Sequence, residues 1–211
     1  MKLKTDPKIN RNGLQSGGPS WQVLLGRRDG FVANQTGANI MLPAPFENIG
    51  NITLKFEAVG LNLTDVVSLS GAHTIGQASC ATFGNRLFNF SGTNAPDSTL
   101  LDQNMLRGLQ NLCPVNGDSS RTTPLDWNST DVFDNHYFQN LVNGRGVLES
   151  DQILYSSDQA MTTTRSLVEL YSKDKNTFAN DFINSMIKMG NIQPLTGSAG
   201  EIRRNCRVVN S

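Results

Sequence analysis

No run of apolar residues in this chain approaches the roughly 18 that a membrane-spanning helix needs, so a spanning segment is not expected. Net charge is also absent. Eighteen basic side chains meet 18 acidic ones, which argues against a protein that wraps nucleic acid or is drawn to a membrane surface. The one local imbalance is an excess of +3 over the first twelve residues, from Lys2, Lys4, Lys8 and Arg11 against Asp6. Histidine is scarce, with only His73 and His136 present. No G-x-S-x-G stretch occurs, which removes the nucleophile elbow of a serine hydrolase. The opening MKLKTDPKINRNGL has charge but no apolar core, so no signal peptide is read in this chain. Repeats and low-complexity linkers are missing too. At 211 residues the chain has the length of one to two domains of about 100–200 residues each, enough to bury a sizeable core.

What is present points away from the cytosol. Five N-x-S/T sequons begin at Asn34, Asn51, Asn62, Asn89 and Asn128, which leans towards a glycosylated secretory protein. Three cysteines, Cys80, Cys113 and Cys206, allow one disulfide and one leftover thiol, or equally three buried inert thiols. Residues 90–101 and 114–124 are long, polar and rich in Gly, Pro, Asn and Ser. Loops of that length in a compact domain are usually functional or pinned. Cys80 and Cys113 bracket the first of them, and a disulfide there would contribute about 3–4 kcal/mol on the chain-entropy account.

Periodicity predicts an all-α protein with minimal β. Ile52, Phe56 and Val59 fall on one helical face, and Gly60 follows as a stop. Thr64 and Asp65 read as an N-cap and first-turn acid for the next run, Val66, Val67 and Leu69. Met105, Leu109 and Leu112 repeat the spacing until Cys113-Pro114 ends it. Phe138, Leu141 and Val142, then Leu167, Leu170 and Tyr171, then Phe178, Phe182, Ile183, Met186 and Met189 complete the helical stripes, the last closed by Gly190. Extended structure is expected only at 21–25 and 147–148.

Two constellations carry chemistry. His73 stands in LSGAHTIG, where small neighbours would let something large and flat approach its imidazole. The alternative is a core histidine satisfied by backbone. Asp126-Trp127-Asn128-Ser129-Thr130-Asp131-Val132-Phe133-Asp134 sets two carboxylates eight residues apart with hydroxyls and carbonyls between them, which suits a hard cation such as calcium. Its alternative is a polar turn in which Asp134 caps a helix.

LSGAHTIGQASC, LDWNSTDVFDNHYF and GVLESDQILYS, in that order and preceded by GGPSWQVLLGRRDG and LPAP, closely resemble the plant secretory (class III) haem peroxidases. The resemblance covers about Gly17 to Val208. It implies a partial haem peroxidase domain over 17–208, the C-terminal, proximal part of that helical fold. A non-family segment at 1–16, expected to be disordered, and a tail at 209–211 flank it. It implies haem b and one proximal calcium as cofactors, with hydrogen peroxide and small phenolic or aromatic donors as partners. His73 would be the axial ligand of the haem iron and Asp151 the acceptor of its other ring nitrogen. Thr74, Asp126, Ser129, Asp134 and the Val132 carbonyl would hold calcium. Leu125 would pack on the imidazole, and Pro43 would line the donor site. Cys80 and Cys113 would pair, leaving Cys206 unpaired because its family partner lies upstream of the resemblance. His136 is expected to be an unspecialised surface residue. The family's distal histidine and arginine, which move the peroxide proton and stabilise charge, have no counterpart before Gly17, so no catalytic residue is assigned and slow turnover is expected. A non-catalytic haem- and calcium-binding remnant, or an unstable fragment, is the alternative. Family membership implies an extracellular or vacuolar monomer, with neither nucleic acid nor membrane as partner.

Overall fold

The structure, a computed structural model, describes residues 5–6 and 16–211. It is mostly helical, as the periodicity predicts. In chain order the helices are α1 (Gln35–Met41), α2 (Ile49–Glu57), α3 (Leu63–Ser70), α4 (Cys80–Phe83), α5 (Gln103–Leu112), α6 (His136–Val142), α7 (Glu149–Ser156), α8 (Asp158–Met161), α9 (Arg165–Lys173) and α10 (Lys175–Gly190). No helix among the described residues is long and apolar enough to cross a membrane.

Two buried clusters organise the helices. The larger gathers Val66 and Val67 of α3, Phe138 and Leu141 of α6, Leu154 of α7, Val168 and Tyr171 of α9, and Phe178 and Phe182 of α10. Its aromatic rings meet mostly edge to face, with Phe138 4.8 Å from Phe178 and 5.1 Å from Tyr171 between centroids. The smaller cluster packs Phe83, Leu87, Leu100, Met105, Leu106 and Leu109 around the Cys80–Cys113 disulfide, whose Cα atoms are 5.6 Å apart. Cys206 is free and exposed, so the reading of three buried thiols fails.

The start of α3 departs from the expected cap. Asn62, not Thr64, is the N-cap: its side chain accepts from the Asp65 N–H at 3.1 Å, while Asp65 accepts from the Asn62 N–H at 2.8 Å. Asp65 is buried because α10 covers it, with Ser185 donating at 2.6 Å and Lys188 at 3.0 Å. This joins the helix that leads into the His73 turn to the longest helix.

Strands are short. Val23–Leu24 (β2) lies inside the predicted 21–25 segment and pairs antiparallel with Thr5–Asp6 (β1). Of the segment 1–16, expected to be disordered, Thr5–Asp6 form this strand and the Ser16 carbonyl accepts from the Phe133 N–H at 2.7 Å; its other residues lie outside the described ones. Residues 147–148 form no strand; Leu148 has extended angles because it is the N-cap of α7. A second pair, Gln77–Ser79 (β3) with Thr122–Pro124 (β4), is not foreseen by periodicity, since three residues are too few to alternate.

The polar loops are pinned. Arg86 is fully buried and reaches two further segments: Nε donates to Asp97 at 2.8 Å, Nη1 to the Gly146 and Val147 carbonyls at 2.6 Å each, and Nη2 to Thr99 at 3.2 Å. It thereby fastens the 90–101 loop to the approach of α7, which carries Asp151.

Candidate functional site

α3 ends in a 3-10 turn, Gly71–Thr74, that projects His73 from the core. Gly71 is required by close packing: a Cβ there would sit 2.5 Å from Phe178 and 2.8 Å from Phe138. Two residues past the turn, Gly76 has φ +102°, a conformation that turns the chain into β3 and that side chains disfavour. Its carbonyl accepts from the Leu125 N–H at 3.0 Å, bringing Leu125 beside the histidine.

His73 Nδ1 lies 2.9 and 3.1 Å from the two carboxylate oxygens of Asp151, near the start of α7. The Asp151 charge raises the imidazole above its ordinary pKa against the opposing effect of burial. Tyr137 of α6 donates its hydroxyl to Asp151 Oδ1 at 2.9 Å, and its ring meets the imidazole edge-on at 6.2 Å. Burial, and then the Asp151 charge, push the phenol well above its usual range, so it stays a donor. With Nδ1 committed, Nε2 is the nitrogen left for a ligand, and no hydrogen bond occupies it among the described residues.

His73 lines a cavity of about 630 Å³, together with Pro43, Ile52, Phe56, Leu69, Leu125 and Leu148. That volume is within the range of small-molecule and cofactor sites. The Pro43 segment is held to α7 by Ser150 N–H donating to the Pro45 carbonyl at 3.0 Å. The lining also includes Ser70, Gln77, Ser79, Thr82 and Thr122, so mainly apolar walls with hydroxyls at their edge and one imidazole with a free nitrogen would suit a large flat ring bearing a metal.

Behind the histidine is a second arrangement. Thr74 Oγ1 lies 3.5 Å from Asp126 Oδ2, 3.5 Å from the Val132 carbonyl and 3.3 Å from Asp134 Oδ1. Ser129 Oγ lies 3.4 Å from Asp126 Oδ2 and 3.1 Å from Asp134 Oδ1. Hydroxyl hydrogen bonds favour about 2.7–2.8 Å. Oxygens at right angles around one calcium, each about 2.3–2.6 Å from it, stand roughly 3.3–3.7 Å apart. The spacing therefore fits a shared cation better than mutual hydrogen bonding. Asp126 is fully buried, its other oxygen held by Asn128 N–H at 2.8 Å and Asn140 Nδ2 at 2.9 Å. Neither Asp126 nor Asp134 forms an ion pair with lysine or arginine among the described residues. Two carboxylates so placed call for a cation from solution. Asp134 Oδ1 also accepts from His136 N–H at 2.8 Å, so the helix-capping reading of this aspartate holds alongside.

His136 departs from expectation in part. It lies at the surface, its side chain 40% exposed, but its Nδ1 is 2.8 Å from Ser129 Oγ and 3.0 Å from Asp134 Oδ2, contacts the expectation did not include. Tyr137 and Asn140 are also missed by the sequence reading. One sits beside the other histidine in the HYF run and the other one turn further along α6, and only the fold shows what they face.

A histidine backed by a carboxylate, opening on a cavity and adjoining a carboxylate cluster, is in a helical protein an arrangement that would suit a metal cofactor. A family model described as Peroxidase matches residues 12–174. Peroxidase N of Armoracia rusticana is 58% identical over 195 residues, covering 92% of this chain and 58% of that protein. Peroxidase 54 of Arabidopsis thaliana is 56% identical over 195 residues, covering 92% and 54%. The lignin-forming anionic peroxidase of Nicotiana tabacum is 47% identical over 194 residues, covering 92% and 59%. The chain belongs to the peroxidase family, in its plant secretory (class III) branch. It spans a little over half the length of these relatives.

Proposed function

We propose that this chain forms the iron-ligating side of a haem peroxidase acting on hydrogen peroxide and small phenolic or other aromatic donors. The observation that carries this reading is the His73–Asp151 contact at 2.9 Å on the wall of an apolar cavity of about 630 Å³. His73 Nε2 would bind the iron of haem b. Bound haem would supply the redox chemistry that reduces peroxide and oxidises the donor. Asp151 holds the imidazole in one orientation and gives it anionic character, while Tyr137 limits how far that charge is passed on. Pro43, at the mouth of the same cavity, is where a flat donor would dock. Thr74, Asp126, Ser129, Asp134 and the Val132 carbonyl would hold one calcium, and because Thr74 adjoins His73, that ion stiffens the turn presenting the imidazole.

The Cys80–Cys113 disulfide and the exposure of all five sequon asparagines support an extracellular or vacuolar setting. A second reading, haem binding with slow turnover, is favoured by the cavity lining: among the described residues it includes no second imidazole and no guanidinium to handle the peroxide proton and charge. One experiment separates the two. The purified chain is titrated with haem in calcium, followed by absorbance, then assayed for peroxide-dependent phenol oxidation. We expect a saturable one-to-one spectrum that His73→Ala abolishes and that calcium chelation weakens. Unchanged binding by His73→Ala would sink the axial assignment, and indifference to chelator would count against the calcium cage. Phenol turnover at rates typical of enzymes, about 1–10³ per second, would favour the first reading, and a bound spectrum without it the second.

A further inference from the structure

The cation cage carries an imidazole that an all-oxygen calcium site has no use for. One ligand atom from each of Asp126, Asp134 and His136 lies within 4.8 Å of the other two. His136 Nδ1 is 3.0 Å from Asp134 Oδ2 and 2.8 Å from Ser129 Oγ, and its side chain is 40% exposed, leaving room for a water on the outer side. We infer that Asp126, Asp134 and His136 form a site for zinc, or a similar first-row divalent cation, which it binds in competition with calcium.

The inference rests on the calcium reading above and extends it. Asp126, fully buried and paired with no lysine or arginine among the described residues, already calls for a cation. Which cation enters depends on donor type. Carboxylate, hydroxyl and carbonyl oxygens suit calcium, whereas imidazole nitrogen favours zinc and its neighbours. Two carboxylates and one imidazole, with Ser129 or water as the fourth ligand, match the N/O donor set and coordination number of zinc. Zinc–ligand distances of about 2.0–2.2 Å need the three donors drawn slightly inwards, a movement that side-chain rotation of the half-exposed His136 supplies. On binding, the imidazole carries its hydrogen on Nε2, and Nδ1 gives its lone pair to the metal. Calcium, larger and held mainly by the Thr74, Ser129 and Val132 side of the cage, leaves Nδ1 to hydrogen bond. The two ions draw on the same carboxylates and exclude each other.

The test uses the full chain with Cys206→Ser, so that the exposed thiol takes no metal. The protein is stripped of metal and dialysed against buffered free Zn²⁺ or Ca²⁺, and bound metal is counted by elemental analysis. We expect one Zn²⁺ per chain, displaced as Ca²⁺ rises. His136→Ala and His136→Asn should each weaken Zn²⁺ binding about tenfold or more while Ca²⁺ affinity stays within about threefold. The asparagine variant keeps a hydrogen bond to Ser129, and far-UV circular dichroism checks that both are folded. His73→Ala should leave Zn²⁺ uptake unchanged. Zinc uptake that ignores His136, disappears with His73→Ala, or adds to calcium instead of competing would overturn the inference while leaving the calcium reading intact. Failure to bind calcium, with zinc still taken up through His136, would overturn the calcium reading alone.

Discussion

Asp151, itself buried, accepts hydrogen bonds from two donors, the His73 imidazole and the Tyr137 phenol. Two donors share one charge, so each tempers what the other receives. Tyr137→Phe removes the competing donor and leaves a buried carboxylate less satisfied. Hydrogen bonds to charged groups contribute about 1.5–3 kcal/mol, and a loss of that size is expected in urea unfolding. In haem-loaded protein the same change should lower the reduction potential, because more of the Asp151 charge reaches the imidazole. An unchanged potential would mean that the phenol is structural only. The sequence marks His73 and Asp151 through the family resemblance, but nothing in the HYF run says that Tyr137, and not Phe138, turns towards the carboxylate. That choice follows from the rotation of α6, set when Phe138 packs between Tyr171 and Phe178.

Among the elements, the 3-10 turn between α3 and β3 is tightly packed at its first residue. Gly71 meets two aromatic rings, both fixed in the core, and neither can yield as a flexible side chain would. Gly71→Ala should therefore cost about 1–3 kcal/mol in thermal or urea unfolding, and haem affinity should fall with it because His73 lies two residues further on. A substitution without effect would show that α3 can move away from α6 and α10. Most helices are legible in the sequence, since each buries a stripe of apolar residues. The β3–β4 pair and the true cap of α3 are not, for different reasons. Three-residue strands show no alternation, and Asn62 outcompetes Thr64 only because Asp65 closes the reciprocal box with it. The approach to α7 is similar: residues 147–148 read as extended, but the chain bends there into the N-cap of α7, and Arg86 holds the carbonyls of Gly146 and Val147.

On the scale of the whole molecule, two cores are joined by few covalent constraints. The Cys80–Cys113 bridge spans 33 residues and holds the smaller cluster around the 90–101 loop. Replacing both cysteines by serine should lower stability by about 3–4 kcal/mol, read from the midpoint of denaturant unfolding. A loss well below that would show that the Arg86–Asp97 pair and its carbonyl contacts keep the loop ordered unaided. Composition, helical periodicity and the order of the motifs by themselves determined the helical class and the family, and marked His73, Asp151 and the 126–134 loop as candidates for the site. These are properties of residues near one another in the chain or of long ordered motifs. Only the tertiary structure decided that Tyr137 shares Asp151, that Arg86 ties the 97–99 and 146–147 segments together and that His136 meets Asp134 and Ser129. Each depends on how helices rotate and where loops close, and that geometry is set by core packing between residues distant in sequence.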